Sequence, residues 1–394
     1  MSRNITVGID IGTYQVKVVV AENVKENSKL LPKVIGSGFS ESKGLRHGYI
    51  INSADITKSI SQAVSQAEES SGIKIKKAFI SMGGIGLSGT VSQGAVIISR
   101  ADSQITDLDI AKVMESCENE IPPAVALNRK ILHSIPLIYK LDGKIVLGKP
   151  PIGMKGSKLE SKTLFISCLE HHLNDLIEAV EEAGVEVEDV IASPIAASFI
   201  TLSKTQKIAG CVLANIGAET VSIVVFENNI PISLEVFPIG STDITNDIAL
   251  GLKIPLEEAE SIKLGGITST AYSRKKLEEI VMARLSDMFE LIEAHLKKIG
   301  RNGLLPAGIV ITGGGSGIVS IEDFAKTFLK IPSRIAVFNV GENIESGIKD
   351  SSWSVAYGLC LLGFNYKSGD SPRAKSLWKW VKNKIKSSLD QIMP

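Results

Sequence analysis

The sequence lacks a hydrophobic run long enough to cross a membrane. The stretch WSVAYGLCLLGF at 353–364 is apolar for only a dozen residues, well short of the roughly 20 that a spanning helix needs. A signal peptide is not expected, because a strand-like run begins within a few residues of Met1. The four cysteines show neither CxxC nor metal-ligand spacing, which predicts buried, reduced thiols and a cytoplasmic site.

Two common nucleotide-binding signatures are also absent. There is no Walker A sequence, and the glycines do not fit the Rossmann spacing, which disfavours both of those folds. The formal net charge is zero, and no nucleic-acid partner is expected. The 44% hydrophobic and 22% charged fractions are typical of a soluble globular protein. At 394 residues the chain can form two or more domains with substantial cores.

One pattern is present twice, as DIGTYQVKVVV at 10–20 and NIGAETVSIVV at 215–225. In each copy an apolar alternating run reaches a polar residue, turns at a glycine and resumes alternation, which predicts two half-buried strands joined by a tight turn. Without a Cβ, Gly12 and Gly217 let the backbone approach an anion closely. The two hairpins therefore predict a nucleotide held by its phosphates between two similar domains.

A third glycine-containing element lies at 308–317, where GIVITGGGSG runs from an apolar strand into a triple glycine. A helical pattern follows at 318–329. Glycine loops and helix N-termini present free N–H groups that suit phosphate, ribose or a base edge. The alternative is a flexible linker, which the strong strand and helix on either side disfavour.

The C-terminal segment combines charge with helical periodicity. Residues 371–394 contain six basic residues and one acidic residue. The periodic part of this segment, 376–394, follows the linker NYKSGDSPRAK at 365–375. At about 100° per residue, 376–394 places its apolar residues on one arc, opposite a lysine-rich face. This pattern predicts a reversible amphipathic membrane anchor; the alternatives are a helix docked on its own protein or in an acidic protein groove. Its apolar residues are Leu377, Trp378, Val381, Ile385, Leu389, Ile392 and Met393, with Trp380 near the edge.

Together these residues resemble the superfamily of actin, sugar kinases and heat-shock chaperone ATPases, and within it the FtsA family of bacterial division proteins. More specific to that branch, the blocks at 129–143 and 148–162 resemble the inserted subdomain 1C. The resemblance implies an α/β fold. It is an actin-like two-lobe ATPase fold with duplicated ribonuclease-H-like domains, an inserted α+β subdomain 1C and a C-terminal amphipathic helix.

The resemblance also implies a domain order along the chain. The first lobe, subdomain 1A, is expected to be interrupted by the insertion and completed by a helix that returns from the second lobe. The expected segments are 1–83 (1A, first part), 84–162 (1C), 163–197 (1A, continued), 198–349 (domain 2, with 2B near 243–302), 350–367 (return helix), 368–375 (linker) and 376–394 (membrane helix).

The family resemblance implies ATP and Mg²⁺ as ligands. Two phosphate loops, an adenosine loop and a ribose-binding and adenine-binding segment are expected to form the site, with Asp10 holding Mg²⁺ through water. The implied residues are Asp10, Gly12, Thr13, Tyr14, Lys17, Asn215, Gly217, Ala218, Glu219, Thr220, Glu260, Lys263, Gly313, Gly314, Gly315 and Ser316.

Three departures from the family pattern bear on catalysis. Asn215 and Ser193 stand where carboxylates are expected, and Asn brings no charge and cannot act as a base. Glu219 would place a negative charge beside phosphate unless it points away. We therefore expect ATP to be bound with Mg²⁺ but hydrolysed slowly or not at all, and no catalytic residue is assigned. Three of the five histidines, His133, His171 and His172, are expected to be structural or exposed.

As the resemblance implies, the protein would polymerise and tether FtsZ filaments to the inner face of the cytoplasmic membrane at the division septum. Other divisome proteins would bind through subdomain 1C. Lys276 and Arg284 match positions that meet the acidic FtsZ C-terminal tail. Their alternative role is a solvated helix face with ion pairs such as Lys275–Glu279.

Two rival functions remain open at this stage. A PilM-like cytoplasmic adaptor of type IV pilus assembly would share the actin fold and the insertion, but it would not need a terminal membrane helix. A sugar kinase or phosphatase would need a catalytic Asp in the cleft, which Ser193 and Asn215 disfavour.

Overall fold

The structure is a computed structural model that describes residues 4–26, 29–266, 272–338 and 350–368. The predicted membrane helix at 376–394, with Leu377, Trp378, Trp380, Val381, Ile385, Leu389 and Ile392, lies outside these residues. In the described part of the chain, no helix is both long and apolar enough to span a bilayer.

Sixteen strands and eleven α-helices are described. The strands are β1 Ile5–Ile11, β2 Gln15–Glu26, β3 Lys29–Glu41, β4 Leu45–Arg46, β5 Tyr49–Ile50, β6 Lys77–Met82, β7 Ser88–Ile97, β8 Arg129–Leu141, β9 Lys144–Val146, β10 Lys158–Leu169, β11 Glu186–Ala192, β12 Cys211–Ile216, β13 Val221–Glu227, β14 Ile230–Phe237, β15 Ile309–Thr312 and β16 Ser333–Ile335. The helices are α1 Ser53–Ser71, α2 Asp107–Asn119, α3 Pro123–Ala126, α4 Glu170–Glu182, α5 Ser193–Thr201, α6 Lys204–Ala209, α7 Ser241–Leu252, α8 Leu256–Lys263, α9 Arg274–Lys298, α10 Ile321–Leu329 and α11 Ser354–Ser368.

Two five-stranded sheets have the same topology. The first lobe has the order β11-β6-β1-β2-β3, and the second lobe has β16-β15-β12-β13-β14. In each sheet three strands form an antiparallel meander, and the first of them pairs in parallel with the fourth strand. The duplication predicted from the two repeated stretches is therefore confirmed, and it extends to the whole sheet.

The repeated hairpins form because alternation places every second residue in a core. In the first lobe, Val16, Val18 and Val20 of β2 are buried in one cluster. In the second lobe, Val221, Ile223 and Val225 of β13 occupy the corresponding positions in another cluster. Burial of these alternate residues fixes the register of each hairpin and therefore the position of its turn.

A separate four-stranded sheet, β7-β10-β8-β9, is inserted between β6 and β11 of the first lobe. It carries α2, which begins at Asp107 because the preceding Thr106 caps the helix: the Asp109 carboxylate accepts a hydrogen bond from the Thr106 backbone N–H (2.9 Å). The sequence of this insertion predicts a helix at 105–121 and a strand at 131–141, which the structure confirms as α2 and β8. It also predicts a strand at 95–100, where the structure has the end of the longer β7. The register of β8 against β10 shifts beside Pro136, which has no N–H to donate.

The last described helix, α11, returns to the first lobe and crosses α5 closely. A Cβ on Gly358 would lie 2.0 Å from the carbonyl oxygen of Ala196, so only glycine allows this approach. Buried residues of both lobes share a core beside this crossing, including Phe79 and Leu213. The base of the two lobes is therefore a packed junction.

Candidate functional site

A cleft of about 770 Å³ lies between the two lobes, and both hairpin turns line it. Of the residues predicted to bind nucleotide, all but Glu219 and Gly315 are in the lining. The structure therefore brings together segments that are far apart in the sequence. These residues are Asp10, Gly12, Thr13, Tyr14, Lys17, Asn215, Gly217, Ala218, Thr220, Glu260, Lys263, Gly313, Gly314 and Ser316.

The first hairpin turn is closed by a hydrogen bond from the N–H of Gly12 to the carbonyl of Gln15 (3.2 Å). Asp10, the last polar residue before the turn, accepts a hydrogen bond from the Ser81 hydroxyl (2.8 Å). Burial raises the pKa of Asp10, while Lys17 and the Ser81 bond oppose the rise. This carboxylate is thus held at the floor of the cleft, where a cation would stabilise its charged form.

Lys17 is opposite Asp10 in the hairpin register. Its ammonium donates to the carbonyl of Ser352 (3.2 Å) and lies 5.8 Å from the ring centroid of Trp353. Burial lowers the pKa of Lys17, and the charges of Asp10 and Asp350 oppose this. Lys17 therefore connects the first hairpin to the segment that begins α11.

The second hairpin turn has the same closure, from the N–H of Gly217 to the carbonyl of Thr220 (2.8 Å). The start of α7 fixes this turn from below: the N–H of Ser241 donates to the carbonyl of Gly217 (2.9 Å), and that of Thr242 donates to Ala218 (2.8 Å). A Cβ on Gly240 would lie 2.1 Å from the carbonyl oxygen of Ala218. The glycine is therefore required for α7 to begin directly under the turn.

Glu219 does not line the cleft, which differs from its predicted place beside nucleotide. Its carboxylate instead accepts a hydrogen bond from the backbone N–H of His47, and its carbonyl oxygen lies 3.2 Å from Nδ1 of the His47 ring. Because His47 belongs to the first lobe, this contact joins the lobes. In this conformation the Glu219 carboxylate points away from the cleft, which is the arrangement in which its charge would not lie beside phosphate.

The glycines that follow β6 and β15 are a second repeated feature, which was not predicted from the sequence. The strand β6 ends at Ser81-Met82 and is followed by Gly83-Gly84, and β15 ends at Thr312 and is followed by Gly313-Gly314-Gly315. These strands have the same place in the two sheets. The similar strings FISMGG and VITGGG could have indicated this. A Cβ on Gly83 would lie 3.2 Å from the Ser193 hydroxyl, which places Ser193 at the end of the first of these strands.

The glycine loop after β15 forms a short 3₁₀ turn over Gly314–Gly317, so the flexible-linker alternative is not observed. Gly313 has φ 88° and packs against Asn215, whose Oδ1 would be 2.2 Å from a Cβ there. Gly315 packs against Ile216 and is buried, which is why it is outside the cleft lining. The predicted helix at 318–329 begins later, at Ile321, because Ser320 before it is in a left-handed conformation.

Glu260 and Lys263 have different roles in the second lobe. Lys263 is only 6% exposed, and its ammonium donates to Glu260 (2.6 Å), Thr245 (2.9 Å) and the carbonyl of Ser241 (3.2 Å). These three bonds match the three donors of an ammonium group. The Glu260 side chain is 41% exposed. Lys263 therefore orients Glu260, whose carboxylate can accept hydrogen bonds from hydroxyl groups such as those of ribose.

The histidines differ from one another in position. His133 is buried and accepts a hydrogen bond from the N–H of Ala192 (3.0 Å), and burial lowers the pKa of His133 to about 4. This confirms a structural role, and His171 is exposed as expected. His172 is 2% exposed but lines the cleft, with its ring 4.7 Å from that of Tyr49. Burial lowers the pKa of His172, so its imidazole is neutral at neutral pH.

The predicted partner-binding residues lie on α9. Arg284 makes a two-pronged pair with Asp247, from Nε to Oδ2 (2.7 Å) and from Nη2 to Oδ1 (3.1 Å), and a further contact with Asp287 (3.2 Å). Lys276 is exposed. The Lys275–Glu279 ion pair of the alternative reading is present at 3.9 Å. The Arg284 guanidinium is thus already engaged with carboxylates of its own chain.

The cleft suits a phosphorylated ligand with one cation. Gly12 and Gly217 bring the backbone to its surface from both lobes, and a Cβ on Gly314 would meet nothing within 4 Å. In the described residues, no group of three or more His, Cys, Asp or Glu side chains forms a metal cage. Of the carboxylates in the lining, Asp10 would hold a Mg²⁺ ion, which usually binds through one or two carboxylates, phosphates and water.

Comparison with solved structures defines the class of fold. A PilM–PilN type IV pilus biogenesis complex matches with a TM-score of 0.65 and 17% identity, covering 91% of this chain and 98% of that one. MreB 5 of Spiroplasma citri bound to AMPPNP matches with a TM-score of 0.53 and 12% identity, covering 94% and 98%. The protein has an actin-like fold, as predicted; the predicted C-terminal helix is outside the described residues.

Sequence comparison defines the family. The family model "Cell division protein FtsA" matches residues 212–358, and "SHS2 domain inserted in FTSA" matches 84–167. The cell division protein FtsA of Borreliella burgdorferi is 33% identical, covering 99% of this chain and 98% of its own. FtsA of Pseudomonas aeruginosa is 29% identical, covering 93% and 91%. The chain belongs to the FtsA family of cell division proteins.

Proposed function

We propose that the protein binds ATP with Mg²⁺ in the cleft, assembles into actin-like filaments and tethers FtsZ filaments to the cytoplasmic membrane. The observation that carries the nucleotide part is the pair of matching hairpin turns on opposite walls of the cleft. Family membership supports the role in division. Binding of nucleotide to both lobes would favour one lobe arrangement over others, which is a population shift and does not require hydrolysis.

Slow hydrolysis follows from the charges at the cleft. Asp10 supplies a carboxylate, whereas Asn215 and Ser193 both line the cleft without one. Neither Asn nor Ser can serve as a general base in the way that a carboxylate can. We expect the filament-forming protein to release phosphate more slowly than about 1 s⁻¹, the low end of typical enzymes. A faster steady-state rate in a coupled phosphate assay would contradict this.

Two arguments support the proposed membrane tether: the amphipathic sequence of 376–394, and the avidity of many such helices in one filament. One amphipathic helix binds a bilayer weakly, but a row of linked subunits presents many helices at high effective concentration. The location would then be the cytoplasmic face of the membrane at the septum.

Liposome co-sedimentation tests this proposal. The full chain and a version that ends at Asp370 are each mixed with anionic liposomes and an FtsZ tail peptide, with and without ATP and Mg²⁺. We expect only the full chain to sediment and to carry the peptide with it. If both versions remain in solution, the proposal that 376–394 binds the membrane is wrong, and a PilM-like adaptor function becomes the better-supported hypothesis.

The FtsZ tail site is proposed on α9 around Arg284, with Lys276 as a weaker contributor. Because Arg284 already pairs with Asp247 and Asp287, an acidic tail must compete with these carboxylates for it. We expect Arg284→Glu to abolish tail binding in a peptide titration. Lys297→Glu, which makes the same charge change at the far end of the helix, is the matched control. Equal affinity of both variants would remove Arg284 from the site.

A further inference from the structure

The hairpin formed by β4 and β5 is fixed on the first lobe. Gly48 has φ 84°, and a Cβ there would lie 2.4 Å from the Cα of Gly84. The N–H of Ile85 donates to the carbonyl of His47 (3.2 Å). The Tyr49 ring packs against that of His172 at 4.7 Å. Close packing on several sides makes this hairpin a stiff projection of the first lobe.

The opposing surface on the second lobe is equally fixed. The turn that contains Glu219 is closed by the hydrogen bond between Gly217 and Thr220, and α7 holds it from below through Ser241 and Thr242. Its position therefore follows that of the second sheet. Two stiff elements face each other here, so their contact reports directly on the separation of the lobes.

The contact itself has two parts. The backbone N–H of His47 donates to the Glu219 carboxylate, and the His47 ring lies beside the Glu219 carbonyl. A hydrogen bond to an ionised acceptor is roughly twice as strong as a neutral one. His47 has φ 49°, which is uncommon for a residue other than glycine and costs free energy. The left-handed residue thus lies at the point where the lobes meet.

The position of this contact suggests what it controls. Gly48 on one side and Gly217 and Ala218 on the other all line the cleft, so the contact lies at the edge of the cleft, within the second hairpin turn and beside the loop that follows β6. We propose that Glu219 and His47 form a closing contact that limits the release of bound nucleotide. The inference rests on the proposed binding of nucleotide. A ligand held by both lobes leaves when they separate, and separation breaks this contact. Both residues act as positioning residues, because they join the lobes and neither lines the cleft.

The test is the dissociation rate of a fluorescent, non-hydrolysable ATP analogue with Mg²⁺, chased with excess ATP in stopped flow. We expect Glu219→Ala to release the analogue about tenfold faster than the wild type, since a charge-assisted bond is lost. Glu219→Gln keeps an acceptor for the His47 N–H and should give an intermediate rate. Glu69→Ala, which removes an exposed carboxylate on α1, is the control and should match the wild type.

A cross-link tests closure without relying on loss of a bond. The described native cysteines are all buried, so His47→Cys with Glu219→Cys can be joined selectively by a short bis-maleimide after the analogue has bound. We expect the joined protein to retain the analogue at least tenfold longer than the same variant left unjoined. Trapping would show that the lobes must separate at this point for the analogue to leave, while the rate for Glu219→Ala tests whether the native contact limits that separation.

The outcomes separate the two levels of the proposal. If the wild type does not bind the analogue, the proposed nucleotide function fails. If the wild type binds it but Glu219→Ala and the joined protein release it at unchanged rates, the closing contact is overturned. Slower release from both Glu219 variants would also overturn it, because that result would mean that the Glu219 charge acts mainly by repelling phosphate.

Discussion

The two hairpins at the cleft share a backbone but differ in chemistry. In both, the turn is closed by a bond from a glycine N–H to the carbonyl three residues later. The register is also the same, with Asp10 opposite Lys17 in the first hairpin and Asn215 opposite Ser222 in the second. A charged pair in one lobe thus corresponds to a neutral pair in the other. The backbone requirement for approaching an anion is met twice, while only the first hairpin supplies ionised groups at these matched positions.

The turns also differ at their third residue, Tyr14 in the first and Glu219 in the second. Tyr14 and Glu219 occupy the same place in the two turns, and Tyr14 is 64% exposed at the cleft. Glu219 turns away and contacts His47 of the opposite lobe. The first hairpin is therefore suited to the cation and the ligand, and the second is suited to holding the lobes together. The comparison predicts unequal effects when corresponding residues are changed.

The largest effect is expected for Asp10→Asn, which makes the first hairpin neutral like the second. Asp10 is the carboxylate proposed to orient Mg²⁺ through water, and loss of such an outer-shell partner typically costs 10–100-fold in metal affinity. Calorimetric titration of Mg²⁺ with ATP present should show this loss. If Mg²⁺ binding persists unchanged, the charge asymmetry between the hairpins has no role in cation binding.

A smaller effect is expected for Asn215→Asp, which gives the second hairpin its own carboxylate. A second negative group at the cleft should raise Mg²⁺ affinity by less than about tenfold, because the cation already has Asp10 and phosphate oxygens. Phosphate release should stay slow, since Ser193 remains without a carboxylate. A large rise in hydrolysis would show that Asn215 alone holds the activity down.

The two glycines should respond alike, because the backbones match. An ideal Cβ lies 3.0 Å from the Gln15 carbonyl oxygen at Gly12, and 3.0 Å from that of Thr220 at Gly217. Each change to Ala should lower the free energy of unfolding by about 1 kcal/mol, the low end of overpacking costs. Urea unfolding measures both values. A clear difference between them would mean that the turns are not equivalent in backbone.

The smallest expected effect is on the pH dependence of stability without ligand. Burial raises the pKa of Asp10 above its ordinary value of 3.8, so the native state binds this proton more tightly than the unfolded state. The stability that this proton contributes is present at low pH and is lost as pH rises from 3.8 through the raised pKa. The unfolding free energy of the wild type relative to Asp10→Asn should therefore fall over that window. Thermal unfolding of both proteins in EDTA tests this, and a constant difference would contradict it.

The hairpins could be predicted from the sequence because their determinants are local. Alternation on both sides of Gly12 and Gly217 specifies strand, turn and strand within a few residues. The ends of β6 and β15 are repeated as well, but Met82 interrupts the likeness to the triple glycine at 313–315. The shared position of these ends became visible only from the order of strands in the two sheets.

The contacts across the cleft could not be predicted in the same way. His47 and Glu219 are 172 positions apart, and their meeting depends on how the two lobes pack. The engagement of Arg284 likewise depends on Asp247 on a different helix. The family resemblance implied a binding role for both Glu219 and Arg284. Only tertiary structure shows that each already has a partner in its own chain.

The crossing of α11 over α5 at Gly358 has a mechanical consequence. α11 packs mainly on the first lobe, so a surface that binds the chain beyond Ser368 would hold that lobe directly. The second lobe, with α9 and Arg284, would be held indirectly, through the shared core at the base of the cleft and the contact between His47 and Glu219. A force applied to α9 would be transmitted through these two junctions, so its path to the held end would pass beside the cleft.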